Sequence, residues 1–239
     1  GFEKLYGLPN QHSTMFANRK VIEFDQNIGI TETVDTAYAL RVNHHSWNGT
    51  VEISIEDKLQ ILQQETQKNL AKKIEALVFD FSYDIEDAMF EALENIFTFV
   101  KAIFVGDVED NEAMISDIPF LCISPILKTL PNLEVLKIRG SSSRYRGGET
   151  WVFNPSLKHN NLKAVTIESG GISREVINQF CQLDLPALKY LELWTGREEY
   201  AGNSSIEDVM PIISGKYSKL KYLGLRNSEY SNNIAFALV

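Results

Sequence analysis

A short hydrophobic pattern recurs six times along the chain, with apolar residues at its first, fourth and sixth positions. The stretches are IEALVF from Ile74, VKAIFV from Val100, LEVLKI from Leu133, LKAVTI from Leu162, LKYLEL from Leu188 and LKYLGL from Leu220. Alternation of this kind is typical of a β-strand with one buried face. Self-similarity at a spacing near the ~20–29 residues of a leucine-rich repeat, with loop insertions in the longer units, indicates a stacked array. We expect six repeat strands.

Helical patterns lie between several of these strands. Four segments place apolar residues on one helical face: DIEDAMFEALENIF, CISPILKTL, ISREVINQFCQL and SSIEDVMPIISGKY. Ser173 and Ser205 are predicted helix N-caps, and Ser124 precedes Pro125, a common helix start. The fold class we expect is α/β: a leucine-rich-repeat solenoid with parallel strands on the concave face and helices on the convex face.

The first seventy residues do not fit the repeat. KVIEFD, AYALRV and VEISI alternate like strands, and EDKLQILQQETQKNL has the spacing of a helix. Because a solenoid needs its first hydrophobic face covered, we assign 1–69 to an N-terminal capping region, and we expect AYALRV to add a strand to the sheet. Residues 70–239 form the repeat array. Its last repeat has no following unit, so we expect either self-association or fraying there, in a chain that is truncated or naturally short.

The series LEVLKIRGSS, LKAVTIESGGI, DLPALKYLELWTG and LKYLGLRNSE resembles a bacterial family of cytoplasmic leucine-rich-repeat proteins. The resemblance covers roughly residues 37–239, and ESGGI and LELWTG are its most specific pieces. It implies a repeat solenoid in a bacterial cytoplasm. It implies no activity, catalytic residue or cofactor.

The strand LKYLELWTG raises a question about its second face. With Leu191 and Leu193 pointing inward, Tyr190, Glu192 and Trp194 should be solvent-facing. The same positions in neighbouring repeats are Glu168, Tyr222 and Arg226. Two interpretations stay open: a solvated face with cross-strand pairs, or a binding surface, since Tyr, Trp and Arg are enriched in binding hot spots. In the earlier repeats these positions are apolar, with Val78, Phe104 and Val135, and we expect the N-terminal cap or a loop to pack over them; an exposed patch for a partner is the alternative.

A local basic island lies in the segment RGSSSRYRGGETW. It comprises Lys137, Arg139, Arg144 and Arg146, and its glycines and serines would let backbone amides approach an anion. The competing interpretation is a flexible insertion loop with scattered arginines.

Composition narrows the function classes. The 239 residues carry a net charge of -9, which argues against nucleic acid or anionic membranes as partners. No apolar run is long enough for a membrane span and no signal peptide is visible, so we expect a cytoplasmic protein. Cys122 and Cys181 are expected to be buried structural thiols. The acidic stretch DVEDNEAMISD fails the calcium-loop pattern and is expected to be a solvated turn.

Two function hypotheses follow. The first is a non-catalytic scaffold that binds an unknown protein partner through the concave face and the 139–150 loop, using the ten residues Lys137, Arg139, Arg144, Arg146, Glu168, Tyr190, Glu192, Trp194, Tyr222 and Arg226. The alternative is an enzyme or small-ligand protein with an anion site around Lys137, Arg139, Arg144 and Arg146. No catalytic, metal-binding or cofactor motif is visible, and we expect none.

Overall fold

A computed structural model describes residues 11–31, 35–41, 54–68, 74–80, 99–109, 112–142 and 152–237. The chain divides into two compact units, Gly1–Met114 and Ile115–Val239. Both are α/β, with strands that follow one another in chain order and are mostly parallel. The predicted domain boundary at residues 69 and 70 stays a prediction. The predicted helix over 84–97 and the strand VEISI lie largely or wholly outside the described residues.

The first unit builds its sheet from short strands. The described elements are β1 (Met15–Phe16), β2 (Arg19–Glu23), β3 (Thr36–Leu40), α1 (Ile55–Lys68), β4 (Ala76–Phe79) and β5 (Ala102–Val105). Strand β1 is antiparallel to β2, and β2, β3, β4 and β5 pair in parallel. The prediction that AYALRV adds a strand beside the first repeat strand is therefore confirmed.

The apolar face predicted for the first repeats is covered. Val78 and Phe104 are fully buried, and the ring of Phe16 from β1 lies 5.8 Å from that of Phe104. The N-terminal segment thus packs over Phe104, as expected, whereas Val135, the third residue of the predicted apolar face, is only half-buried. An exposed apolar patch at Val78 and Phe104 is ruled out, because neither has solvent contact.

The second unit alternates strands and helices. Its described elements are α2 (Ser124–Thr129), β6 (Val135–Arg139), β7 (Ala164–Glu168), α3 (Arg174–Cys181), β8 (Tyr190–Gly196), α4 (Ile206–Ile213), β9 (Tyr222–Ser228) and α5 (Ser231–Ala237). Strands β6, β7, β8 and β9 pair in parallel with matched register, so that Lys137, Thr166, Glu192 and Gly224 lie side by side. A strand is present at each of the six positions that the hydrophobic pattern predicted.

Helix starts follow local side-chain chemistry. The Ser173 hydroxyl accepts the Val176 N–H at 3.3 Å, and Ser205 forms a reciprocal capping box with Asp208. Ser124 differs from the expectation that it precedes the helix: it is the first helical residue, and its hydroxyl accepts the backbone N–H of Asn154 instead. A tertiary contact has replaced the predicted cap.

The leucine face of β6 to β9 forms the core of the second unit. We predict one continuous row of buried side chains, and six of the eight are buried: Leu136, Ile138, Val165, Ile167, Leu191 and Leu193. Leu223 and Leu225 are only half-buried, so the prediction is wrong for β9. The reason is position, because β9 is the last described strand and one of its sides has no described neighbour.

None of the helices within the described ranges has the length and apolar character that crossing a membrane requires.

Candidate functional site

Two clusters of polar side chains occupy the opposite face of β6 to β9. We call Lys137, Arg139 and Glu168 the sealed cluster, and Tyr190, Glu192, Trp194, Tyr222 and Arg226 the open cluster. The alternation of each strand places both on the same face of the sheet. Together they contain eight of the ten residues predicted to bind a partner.

The sealed cluster is a buried ion-pair triad. Lys137 Nζ lies 2.8 Å from Glu168 Oε1, and Arg139 Nε donates to Glu168 Oε2 at 2.9 Å. All three residues are at most 2% exposed. The expectation that they face solvent is therefore wrong. Charges leave water in this way only when they are paired and hydrogen-bonded, and one carboxylate here serves two cations.

The open cluster has a buried carboxylate as its floor. Glu192 is fully buried and accepts the Tyr190 hydroxyl at 2.7 Å and the Trp194 indole N–H at 2.8 Å. Arg226 Nε lies 3.2 Å from the same carboxylate. Tyr190 is itself buried, so the expectation of solvent exposure is wrong for Tyr190 and Glu192. The alternation of tyrosine, glutamate and tryptophan on β8 therefore has a structural reason: Tyr190 and Trp194 both donate hydrogen bonds to Glu192, which lies between them.

The rim of the open cluster reaches solvent. Tyr222 is 38% exposed, the Arg226 side chain is 46% exposed and Trp194 is half-buried. The Tyr222 ring stacks on that of Tyr190, with centroids 4.4 Å apart and planes 3° from parallel, and Arg226 donates a long 3.4 Å hydrogen bond to its hydroxyl. The predicted exposure is confirmed for Tyr222 and Arg226.

Gly224 leaves space for the Tyr222 ring to lie flat along β9. A Cβ at this position would come within 3.1 Å of the Tyr222 ring and 3.3 Å of the Glu192 side chain. The missing side chain leaves the space in which the ring lies along β9 and over Glu192. The rim residues are therefore held in place by contacts within the unit, and little ordering would remain to be done when a ligand binds them.

The glycines of ESGGI and LELWTG meet in one place. Gly171 and Gly196 form an isolated antiparallel bridge, and Gly196 adopts a positive φ of 71°. A Cβ on Gly196 would lie 1.9 Å from the Gly170 carbonyl oxygen. These glycines are required for close approach of two backbones, which gives ESGGI a structural role.

Two of the ten predicted site residues, Arg144 and Arg146, lie outside the described residues, and so does most of the 139–150 loop. Within the part of the chain that the structure describes, no group of three His, Cys, Asp or Glu side chains could hold a metal ion.

Both cysteines are free thiols and only partly buried. The expectation of buried thiols is thus met in part. Burial raises the pKa of the Cys181 thiol to about 11, which keeps it protonated and a poor nucleophile near neutral pH.

A buried acid in the first unit escaped the sequence analysis. Asp107, expected in a solvated turn, is fully buried and accepts the Ser13 backbone N–H at 3.0 Å and the Arg41 Nε at 3.1 Å. Arg41 also contacts Glu23 at 3.1 Å, beside a cleft of about 280 Å³. The only sequence signal was a carboxylate two residues after the end of β5, and such a placement is too common to identify a network.

No protein-family model matches the chain, and no curated protein does. Among solved structures, the crystal structure of a Bacteroides fragilis protein is similar, with a TM-score of 0.68 and 24% sequence identity. The similarity covers 83% of this chain and 54% of that one, so this chain spans about half the length of its structural neighbour. At this identity the likeness concerns the fold alone.

Proposed function

We propose that this chain is a non-catalytic leucine-rich-repeat protein that binds another protein through the rim of the open cluster. The repeat assignment draws on the six recurring strands and on the helices that follow β7, β8 and β9. The resemblance to bacterial cytoplasmic repeat proteins belongs to the same proposal, and so does a cytoplasmic location.

The observation that carries the binding proposal is the contrast between floor and rim. Trp194, Tyr222 and Arg226 reach solvent while the buried Glu192 holds two of them, through its contacts with Trp194 and Arg226. Preorganised aromatic and arginine side chains supply contact area at a low entropic cost, which is why such residues dominate binding hot spots. The sealed cluster drops out of the binding surface because its members are buried.

Affinity capture with matched variants tests this proposal. The tagged chain and a Trp194→Ala, Tyr222→Ala, Arg226→Ala variant would be exposed to a lysate of the source organism. The control is Lys158→Ala, Asp184→Ala, which removes an exposed ion pair of 3.0 Å elsewhere in the same unit. A partner retained by the chain and the control but lost from the rim variant would be identified by mass spectrometry and purified.

Titration of the purified partner then measures the dissociation constant for each variant. Loss of the aromatic and arginine anchors should weaken binding by about 2 kcal/mol or more, roughly 30-fold. The control variant should bind like the unmodified chain. If all three proteins capture the same partners with the same affinity, the rim is not the binding surface.

The anion-site alternative is a separate proposal with its own test. The burial of Lys137 and Arg139 and their contacts with Glu168 weaken it, so it depends on the loop arginines Arg144 and Arg146. Inorganic phosphate and pyrophosphate would be titrated while the melting temperature is followed. A ligand at a hundred times its dissociation constant adds ~2.7 kcal/mol of stability. No shift relative to chloride at the same ionic strength would eliminate this site.

A further inference from the structure

The cleft in the first unit lies at the carboxyl ends of two parallel strands, β2 and β3. Its walls are the turn at the end of β2, from Glu23 to Asn27, with Arg41 directly after β3 and Lys58 in the first turn of α1. Its volume is about 280 Å³, near the lower limit of small-molecule sites. The cleft therefore has room for a small ligand.

Two cations line this cleft and are themselves largely buried. The side chains of Arg41 and Lys58 are 13% and 14% exposed. Arg41 is fixed from the protein side by the fully buried Asp107, which accepts its Nε at 3.1 Å, and Lys58 donates to the Arg41 carbonyl. Asp107 balances one of the two positive charges. One positive charge therefore remains to be neutralised from the cleft.

The carboxylate of Glu23 now neutralises it. Its Oε2 lies 3.1 Å from Arg41 Nη1, and its Oε1 lies 3.2 Å from Lys58 Nζ and accepts the Arg41 backbone N–H at 3.2 Å. Three donors thus converge on one carboxylate. The Glu23 side chain is 46% exposed, much more than either cation, so it covers them from the solvent side. Ion pairs with an exposed partner contribute little to stability, so a carboxylate from a ligand can displace Glu23.

We propose that this cleft binds a free amino acid, whose carboxylate replaces that of Glu23 between Arg41 and Lys58. The charge of the site favours a carboxylate over a phosphate. One positive charge is matched by a single negative charge, and the exposed Asp25 in the cleft wall repels a second one.

The amino group of the ligand answers to the acidic side chains of the same cleft. Once displaced, Glu23 has lost both of its cations and, together with Asp25, leaves two carboxylates in the wall. An ammonium group supplies a new partner for them, whereas a plain carboxylic acid leaves them without one. The amide groups of Gln26 and Asn27 also line the wall and can hydrogen-bond to either end of the ligand.

This inference does not rest on the proposed function. The cleft belongs to the first unit, and the rim of the open cluster belongs to the second. Trp194→Ala should therefore leave amino-acid binding unchanged, and Lys58→Met should leave partner capture unchanged. Failure of one proposal is thus distinguishable from failure of the other.

A ligand screen on the full chain is the first test. The melting temperature would be followed with each of the common amino acids at about 10 mM, and the most stabilising one would be titrated by calorimetry. Propionate, ethylamine and inorganic phosphate should each bind at least about tenfold more weakly than this amino acid, because each lacks one of the two charged groups or carries a second negative charge. Absence of any shift with the amino acids, or tighter binding of phosphate, would overturn the proposal.

The two partners of one ion pair should change propionate binding in opposite directions. Lys58→Met keeps the aliphatic stem and removes a donor, so it should weaken both propionate and the amino acid at least about tenfold. Glu23→Ala removes the competing carboxylate, so it should bind propionate at least about threefold more tightly than the unmodified chain. A purely structural ion pair would not produce this opposition.

Lys101→Met is the matched control. Lys101 also pairs with a glutamate, Glu75, but at the amino ends of the strands, so its replacement should leave binding of both ligands unchanged. Circular dichroism reports whether each variant is folded, and Glu23→Ala keeps the test decisive if Lys58→Met does not fold. Propionate binding that is unchanged or weaker in a folded Glu23→Ala variant would refute the displacement of Glu23.

Discussion

The sealed and open clusters are built from similar parts and differ in their access to water. Each has one buried glutamate that serves at least one cation across neighbouring strands of the same sheet face. In the sealed cluster both cations are buried. In the open cluster the cation, Arg226, is 46% exposed and belongs to β9. A polar residue type in a repeat strand therefore does not reveal whether that residue binds a partner or holds the fold together.

This difference has an energetic consequence. A charge that loses its partner inside a protein cannot recover hydration, whereas one at the surface turns toward water. The sealed cluster should therefore matter for stability and the rim of the open cluster for recognition. Three pairs of substitutions and the single substitution Trp194→Ala would break or sharpen this comparison.

The largest effect is expected from removing the two glutamates. Glu168→Ala leaves Lys137 and Arg139 buried without the carboxylate they share, and should lower the free energy of unfolding by about 3–5 kcal/mol. Glu192→Ala should cost about 1–3 kcal/mol, since Arg226 can turn to water but the buried Tyr190 hydroxyl loses its acceptor. Urea denaturation measures both.

Glu175→Ala serves as the control for removing a glutamate. Glu175 is exposed in the first turn of α3, so the change should stay within about 0.5 kcal/mol. If Glu192→Ala proved more destabilising than Glu168→Ala, the distinction between a sealed and an open cluster would be wrong.

On the leucine face, the loss of stability on truncation should likewise be larger at the buried β8 than at the half-buried leucines of β9. Leu191→Ala opens a cavity in a fully buried position and should cost ~2–5 kcal/mol. Leu225 on β9 is half-buried, so Leu225→Ala should cost less than about 2 kcal/mol. Urea denaturation measures both losses. A cost for Leu191→Ala below about half a kcal/mol would place Leu191 at the surface, against the register of β8.

The strands were predictable because period-two alternation and a recurring leucine pattern are local signals. Helix starts at Ser173 and Ser205 were predictable for the same reason, since a cap depends on residues within one turn. Ser124 was not, because its hydroxyl is engaged by Asn154, thirty positions away. Local chemistry is visible in a sequence, and long-range contacts that override it are not.

The candidate site was predictable only as a set of positions on one face. Alternation correctly placed Lys137, Glu168 and Glu192 on one face of the sheet, but it does not say whether that face is covered. Charged residue types suggested exposure, and the structure buries them as ion pairs and hydrogen-bonded groups. The contacts of Asp107 with Ser13 and Arg41 were likewise hidden, because both partners are more than sixty positions away in the sequence.

Replacing each stacked tyrosine with phenylalanine compares the stability contributed by a buried hydroxyl, on Tyr190, with that of an exposed one, on Tyr222. Tyr190→Phe leaves Glu192, a fully buried carboxylate, with one donor fewer and should cost about 1–3 kcal/mol. Tyr222→Phe removes a hydroxyl that receives only a long bond from exposed Arg226 and should cost less than about 0.5 kcal/mol. Both rings stay, so stacking is preserved. Equal losses from the two variants would mean that Tyr190 does not anchor the buried carboxylate.

Trp194→Ala should combine a small loss of stability with a large loss of partner binding. Trp194 is half-buried at the rim and donates its indole N–H to Glu192 at 2.8 Å. Trp194→Ala should lower the free energy of unfolding by about 1 kcal/mol, the value of one hydrogen bond with modest packing. Pairing it with Tyr190→Ala should cost considerably more, because Tyr190 is buried. Binding of a captured partner should fall by about 2 kcal/mol or more for Trp194→Ala alone. A folded Trp194→Ala variant that binds every captured partner with unchanged affinity would remove the rim as the recognition surface and leave Trp194 with only a structural part, as a cover over Glu192.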